Sequence, residues 1–267
     1  MSRGSGARAA TPVLMLHHVE PAPLAPPPRH PDSYLTPEEL DRQLDRLAGW
    51  GFRTATLAEA AAAWHQRRRL PPKTVVLTFD DGCRCFGERA VPALAARGMT
   101  ASVFAVSGLV GTDNAWDLAA GERREPLMGR AALVEAAAAG CEVGSHGRTH
   151  RDLSRLEGAE LDREVAGSKR DLEDLLGRSV HTLAWPYGRT SPAARRAAKR
   201  AGYAAAAAIH RHPGAVAGDP WALPRQPLRP GEGGFELWLK ARGLYAVWSR
   251  LPRLGVLGAL RNREARR

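Results

Sequence analysis

Short apolar runs alternate with amphipathic stretches along most of the chain. The runs Val13–Leu16, Val75–Leu77, Thr100–Val106, Cys141–Gly144, Val180–Trp185 and Tyr203–Ile209 have the length and composition of strands, several of them buried on both faces. Between them the spacing predicts helices. Thr36, Pro37 and Glu39 supply an N-cap, a first-turn proline and a capping-box acid ahead of Leu40, Leu44 and Leu47 on one face. Thr56 with Glu59 and Ser154 with Glu157 repeat the capping box. The second of these predicts a helix reaching about Leu176, with Leu161, Val165, Leu172 and Leu176 on one side. Further helices are expected over 87–97, 131–139 and 191–200.

Strand and helix alternate with no clear linker and no internal repeat, which predicts one parallel, barrel-like α/β domain. The proline-dense stretch Pro21–Pro31 reads as a loop, and Ser107–Arg130 as a long loop of the kind that carries function. Residues 1–10 read as a flexible tail and 11–235 as the domain. Residues 236–267 form a basic, helical extension that either packs on the barrel or lies on an anionic membrane surface. Pro252 and two glycines interrupt it and favour packing.

Composition alters this picture little. The chain has 267 residues, 44% of them hydrophobic, and a formal charge of +11 that comes mostly from arginine. That charge suits an anionic partner, but no nucleic-acid motif accompanies it, so no nucleic-acid partner is expected. Cys83, Cys85 and Cys141 cannot all pair, and Cys-x-Cys is poor disulfide geometry. Buried or reduced thiols are the default reading, and a thiolate metal site using Cys83 and Cys85 stays open as an alternative. Neither a signal h-region nor a transmembrane span is evident, so a soluble, cytoplasmic protein is expected.

The polar residues fall at strand ends. His17 and His18 follow the first strand, Asp80 and Asp81 the Val75 strand, and His146 and His150 the Cys141 strand. Trp185 and Tyr187 close the Val180 strand, and His210 the Tyr203 strand. In a barrel these ends converge on one rim, where such folds keep their chemistry. Asp80 and Asp81 need a proton or a cation near them, because adjacent carboxylates do not both ionise freely. A helix or tight turn would put His146 and His150 on one side. With Asp81 they make a two-histidine, one-carboxylate set that leaves positions open for water and substrate and fits zinc best among divalent metals.

Thr78–Gly82, the run Ser145–His150 and Trp185–Gly188, in that order, resemble the motifs of the polysaccharide deacetylases with a NodB homology domain, carbohydrate esterase family 4. The resemblance covers roughly Thr11 to Pro230. It implies a distorted (β/α) barrel of about seven strands and metal-dependent removal of acetyl groups from N-acetylated sugars or polysaccharides. By it, Asp80 is the general base, Asp81, His146 and His150 hold the metal, and the backbone N–H of Tyr187 stabilises the oxyanion. Trp185 and Tyr187 either stack on a sugar ring or pack in the core. The run Val13–His18 resembles a permuted subgroup that includes the biofilm poly-N-acetylglucosamine deacetylases, which favours His17 as general acid, with His18 and His210 as alternatives.

Two positions depart from the family pattern. The arginine that orients the base is missing before Trp185, and Arg225 is its candidate substitute, with a surface salt bridge as the other reading. Gly147 replaces a serine or threonine after the first ligand histidine. The rival functions are an O-acetyl esterase and a catalytically silent glycan-binding barrel.

Overall fold

The computed structural model describes residues 11–210 and 218–249. Seven parallel strands close a ring: β1 (Val13–Leu16), β2 (Thr74–Phe79), β3 (Ser102–Ala105), β4 (Glu142–Ser145), β5 (Thr182–Ala184), β6 (Ala205–Ile209) and β7 (Leu223–Pro227). Each pairs with its neighbour in sequence, and β1 completes the circle by pairing with both β7 and β2, Val13 opposite Val76 and Leu16 opposite Phe79. A further short strand, Arg53–Ala55, extends the lower half of β2, while the upper half pairs with β3. This is the expected single-domain, distorted (β/α) barrel.

Around the ring lie α1 (Pro37–Gly49), α2 (Leu57–His65), α3 (Arg130–Ala138), α4 (Ser168–Leu176), α5 (Pro192–Arg200) and α6 (Gly234–Ala241). The reciprocal capping boxes at Thr36 with Glu39 and Thr56 with Glu59 form as the spacing predicts. The one at Ser154 does not. Asp152 takes the cap there, accepting from the Ser154 N–H and hydroxyl, so a 3₁₀ turn covers Leu153–Arg155 and the helix begins only at Gly158. A π-turn over Arg163–Gly167 then leads into α4.

The strands bury two layers, as their period of two requires. Leu14, Leu16, Val75, Leu77, Phe79 and Val103 face the helices in the main core. Val13, Val76, Phe104, Ala184 and Ala207 pack together on the other face. Phe104 fills so much of that space that a Cβ on Gly144 would lie 2.6 Å from its ring. The run Ala205–Ala208 has low intrinsic strand preference, and tertiary packing overrides it. At the C-terminal side, α6 packs on α1, and Lys240 is buried with its ammonium on Glu232 and the Pro227 carbonyl. Of the extension, α6 thus packs on the barrel, Leu244 and Val247 beyond it are exposed, and residues 250–267, with the N-terminal tail, lie outside the described residues. No helix among the described residues is long and apolar enough to cross a membrane.

Candidate active site

The site starts from β2. Its six residues are all buried, and Thr78 and Asp80 continue the inward alternation begun by Val76. The chain then turns sharply: Asp81 and Gly82 both have φ 69°. Aspartate is among the few residues that tolerate this left-handed region. Gly82 has less choice, because a Cβ there would also press to 3.1 Å from the Ala105 backbone. The two acids thereby point to different partners.

Asp80 is held by Arg225. The guanidinium donates from Nη1 to Oδ1 at 2.6 Å and from Nη2 to Oδ2 at 2.7 Å. Arg225 is fully buried, so the surface salt bridge reading does not apply. Its remaining donors reach the Thr78 hydroxyl at 3.2 Å and the Ala208 carbonyl at 3.3 Å. Burial alone would raise the Asp80 carboxyl; the Arg225 charge, helped by His146, overcomes it and keeps the group below its ordinary range. His17 stands on the other side, with Nε2 at 3.9 Å from Asp80 Oδ2. Burial pushes its imidazole down, and the charges of Asp80 and Asp81 offset that only in part.

Asp81 faces histidines instead. Its Oδ1 lies 3.4 Å from His146 Nε2 and 3.3 Å from His150 Nε2, and all three residues are buried. His146 Nδ1 donates to the Ala184 carbonyl at 2.8 Å, which fixes the tautomer and leaves the Nε2 lone pair directed at Asp81. A carboxylate and two imidazole lone pairs at such distances repel unless a proton or a cation sits among them. The donor set thus fits a divalent metal. Burial pushes the His146 imidazole down, but the charges of Asp80 and Asp81 outweigh it and raise the group above its ordinary value.

The histidine pair is not on a helix. His146 follows β4 directly, and His150 is reached through Gly147 (φ 78°) and itself adopts φ 59°. Glu164 holds this loop. It is buried, and its carboxylate accepts from the N–H groups of Arg148 at 2.8 Å and Thr149 at 3.0 Å and from the Thr149 hydroxyl. Trp116, from a short helical turn in the long loop, stacks on His150 with ring centroids 4.4 Å apart. Sequence reasoning missed both. The signal for Glu164 was a carboxylate three residues after Leu161, on the buried side of its helix.

Tyr187 lies over the edge of His150, is 41% exposed and adopts φ 59°. Trp185 is fully buried, with its indole N–H given to the Trp221 carbonyl. Its ring belongs to the core, so stacking on a sugar is corrected to packing. His18 stacks on Tyr34 at 4.2 Å, away from Asp80, and His210 gives its backbone N–H to the Arg225 carbonyl.

One rim of the closed parallel barrel thus carries paired acids, one braced by arginine and one facing two histidines. Sequence and structure comparisons specify the family. The polysaccharide deacetylase profile matches residues 67–206. YxkH of Bacillus subtilis (strain 168), which carries the same family name, is 25% identical over 228 residues, covering 85% of this chain and 74% of that protein. The Streptococcus pyogenes deacetylase PplD in complex with acetate superposes with a TM-score of 0.74 at 21% identity, over 86% of this chain and 97% of its own. IcaB from Ammonifex degensii gives 0.64 at 24% identity, over 87% and 95%. The chain belongs to the polysaccharide deacetylase family, carbohydrate esterase family 4, hydrolases of carbon–nitrogen bonds other than peptide bonds.

Proposed function

We propose that this protein removes N-acetyl groups from an acetylated carbohydrate by metal-dependent amide hydrolysis. The observation that carries the reading is the division of labour between adjacent acids: Arg225 holds both oxygens of Asp80, while Asp81 faces the Nε2 atoms of His146 and His150. Asp81, His146 and His150 would hold a divalent cation, zinc by its donor set, which would supply Lewis-acid polarisation of the acetyl carbonyl and a more acidic water.

The chain's own residues do the rest. Asp80, kept ionised by Arg225, accepts the proton of the attacking water. The backbone N–H of Tyr187 donates to the oxyanion as the carbonyl carbon becomes tetrahedral. His17 delivers a proton to the nitrogen as the carbon–nitrogen bond breaks, releasing an amine and acetate. Because burial keeps His17 neutral at rest, the proton it delivers has to reach it during the cycle. Asp80, 3.9 Å away, is its source directly or through one water. One proton then passes from water to Asp80, to His17 and to the leaving amine. Tyr187, exposed at the rim, offers its ring to the sugar.

The test is acetate release from matched N-acetylated and O-acetylated glycans, before and after chelation and with zinc restored. Zinc-dependent release from the amide substrates is expected. Release from the esters alone would establish the O-acetyl esterase instead. Zinc-independent release, or none from a protein that retains zinc, would contradict the proposal.

A further inference from the structure

Beside the histidine pair lies a second cluster that the deacetylation chemistry leaves unused. Gly82 redirects the chain so that Cys83 turns inward, and Cys83 and Cys85 are both buried free thiols. His18 comes from the other side, packed flat on Tyr34 and 6% exposed. A ring nitrogen of His18, the Cys83 Sγ and a carboxylate oxygen of Asp81 lie within 4.8 Å of one another. Cys85 backs the group, its Sγ accepting from the Val19 N–H at 3.3 Å.

This cluster is poorly satisfied as a plain piece of core. His18 Nδ1 is buried with no hydrogen-bond partner, which disfavours it as a purely structural group. Imidazole, thiol and carboxylate together are also the donor types that bind zinc-like cations and release their protons on doing so. Asp81 has two oxygens, and it belongs to both sets.

We infer that His18, Cys83 and Asp81 form a second, thiolate-containing site for a zinc-class divalent cation, joined through Asp81 to the centre of Asp81, His146 and His150. Carboxylate-bridged cations of this kind sit about 3.5–4 Å apart. The outer site differs from the inner one in having a soft sulfur ligand, which favours zinc, cobalt or cadmium over magnesium or manganese. It does not depend on the N-acetyl reading, because Cys83 takes no part in that chemistry.

Cobalt(II) titration of the metal-free, reduced protein tests the site without any assay of turnover. A thiolate-to-cobalt charge-transfer band should appear in the near ultraviolet, together with a second equivalent of bound cobalt. Cys83→Ser should abolish the band and that equivalent. So should His18→Phe, which keeps the ring stack on Tyr34, whereas Cys85→Ser and His150→Ala should retain the band. Absence of the band from the wild-type protein would overturn the inference. So would a band that survives Cys83→Ser, or one lost in His150→Ala, since the sulfur would then belong to the single inner centre. Loss of acetate release with the band intact would count against the deacetylase reading alone.

Discussion

Asp80 and Asp81 are neighbours in sequence, equally buried, and treated in opposite ways by the fold. Asp80 meets a permanent cation: the bidentate fork of Arg225 donates to both oxygens and leaves each a second lone pair. Asp81 meets two imidazoles that are cations only when protonated, one of them locked with its lone pair inward. The first acid is complete within the chain, and its remaining freedom is to take up a proton. The second is complete only with a proton or a metal added. A single peptide step through a left-handed aspartate produces this separation, so one strand end can carry both a base and a ligand.

Removing the arginine should have the largest effect on this contrast. Arg225→Met leaves Asp80 buried and uncompensated, at a cost of about 3–5 kcal/mol in unfolding free energy. The sign with pH follows from the lowered Asp80 pKa. The wild-type pair contributes its stability above the ordinary carboxylate value of 3.8 and loses it as pH falls through the lower folded value. In Arg225→Met the midpoint of acid unfolding should therefore move to higher pH, measured by circular dichroism. An unchanged midpoint would show that Asp80 gains nothing from the guanidinium.

A smaller effect comes from loosening the other acid's partners without touching a ligand. Glu164→Ala frees the loop between His146 and His150, and zinc affinity should fall by about 10–100-fold in a competition titration. Retention of full affinity would mean that the loop's backbone alone fixes the histidines. The mildest probe is pH. His146, with its pKa raised above 6.5, must lose its proton to bind metal. Below that raised value zinc affinity should fall by roughly tenfold per pH unit, with proton release on binding measurable by calorimetry in buffers of different ionisation enthalpy. Asp80 should contribute no such dependence in this range, because it is already ionised.

Much of this was legible in the residues because local rules sufficed. The capping boxes at Thr36 and Thr56, the apolar runs and the motif around Asp80 each need only a few neighbouring positions. What escaped depends on distant partners. Leu223–Pro227 carries two prolines and no apolar run, so its place as the seventh strand comes from its neighbours β1 and β6. Glu164 carries no motif of its own, and its role comes from the distant loop N–H groups of Arg148 and Thr149 that it accepts from. Ser154 failed as a cap because Asp152, two residues earlier, competes for the same role and accepts its N–H. Trp185 was ambiguous from type alone, and only burial assigned it to the core.

The separation of roles between the two acids is most directly tested by measuring bound zinc and acetate release in parallel for Asp80→Asn and Asp81→Asn. Asp80→Asn should keep its zinc and lose turnover by roughly 10²–10⁴-fold, the usual contribution of a general base. Asp81→Asn should lose the zinc and turnover together. If Asp80→Asn released its zinc, or retained wild-type turnover, the assignment of one acid to the proton and the other to the metal would be wrong.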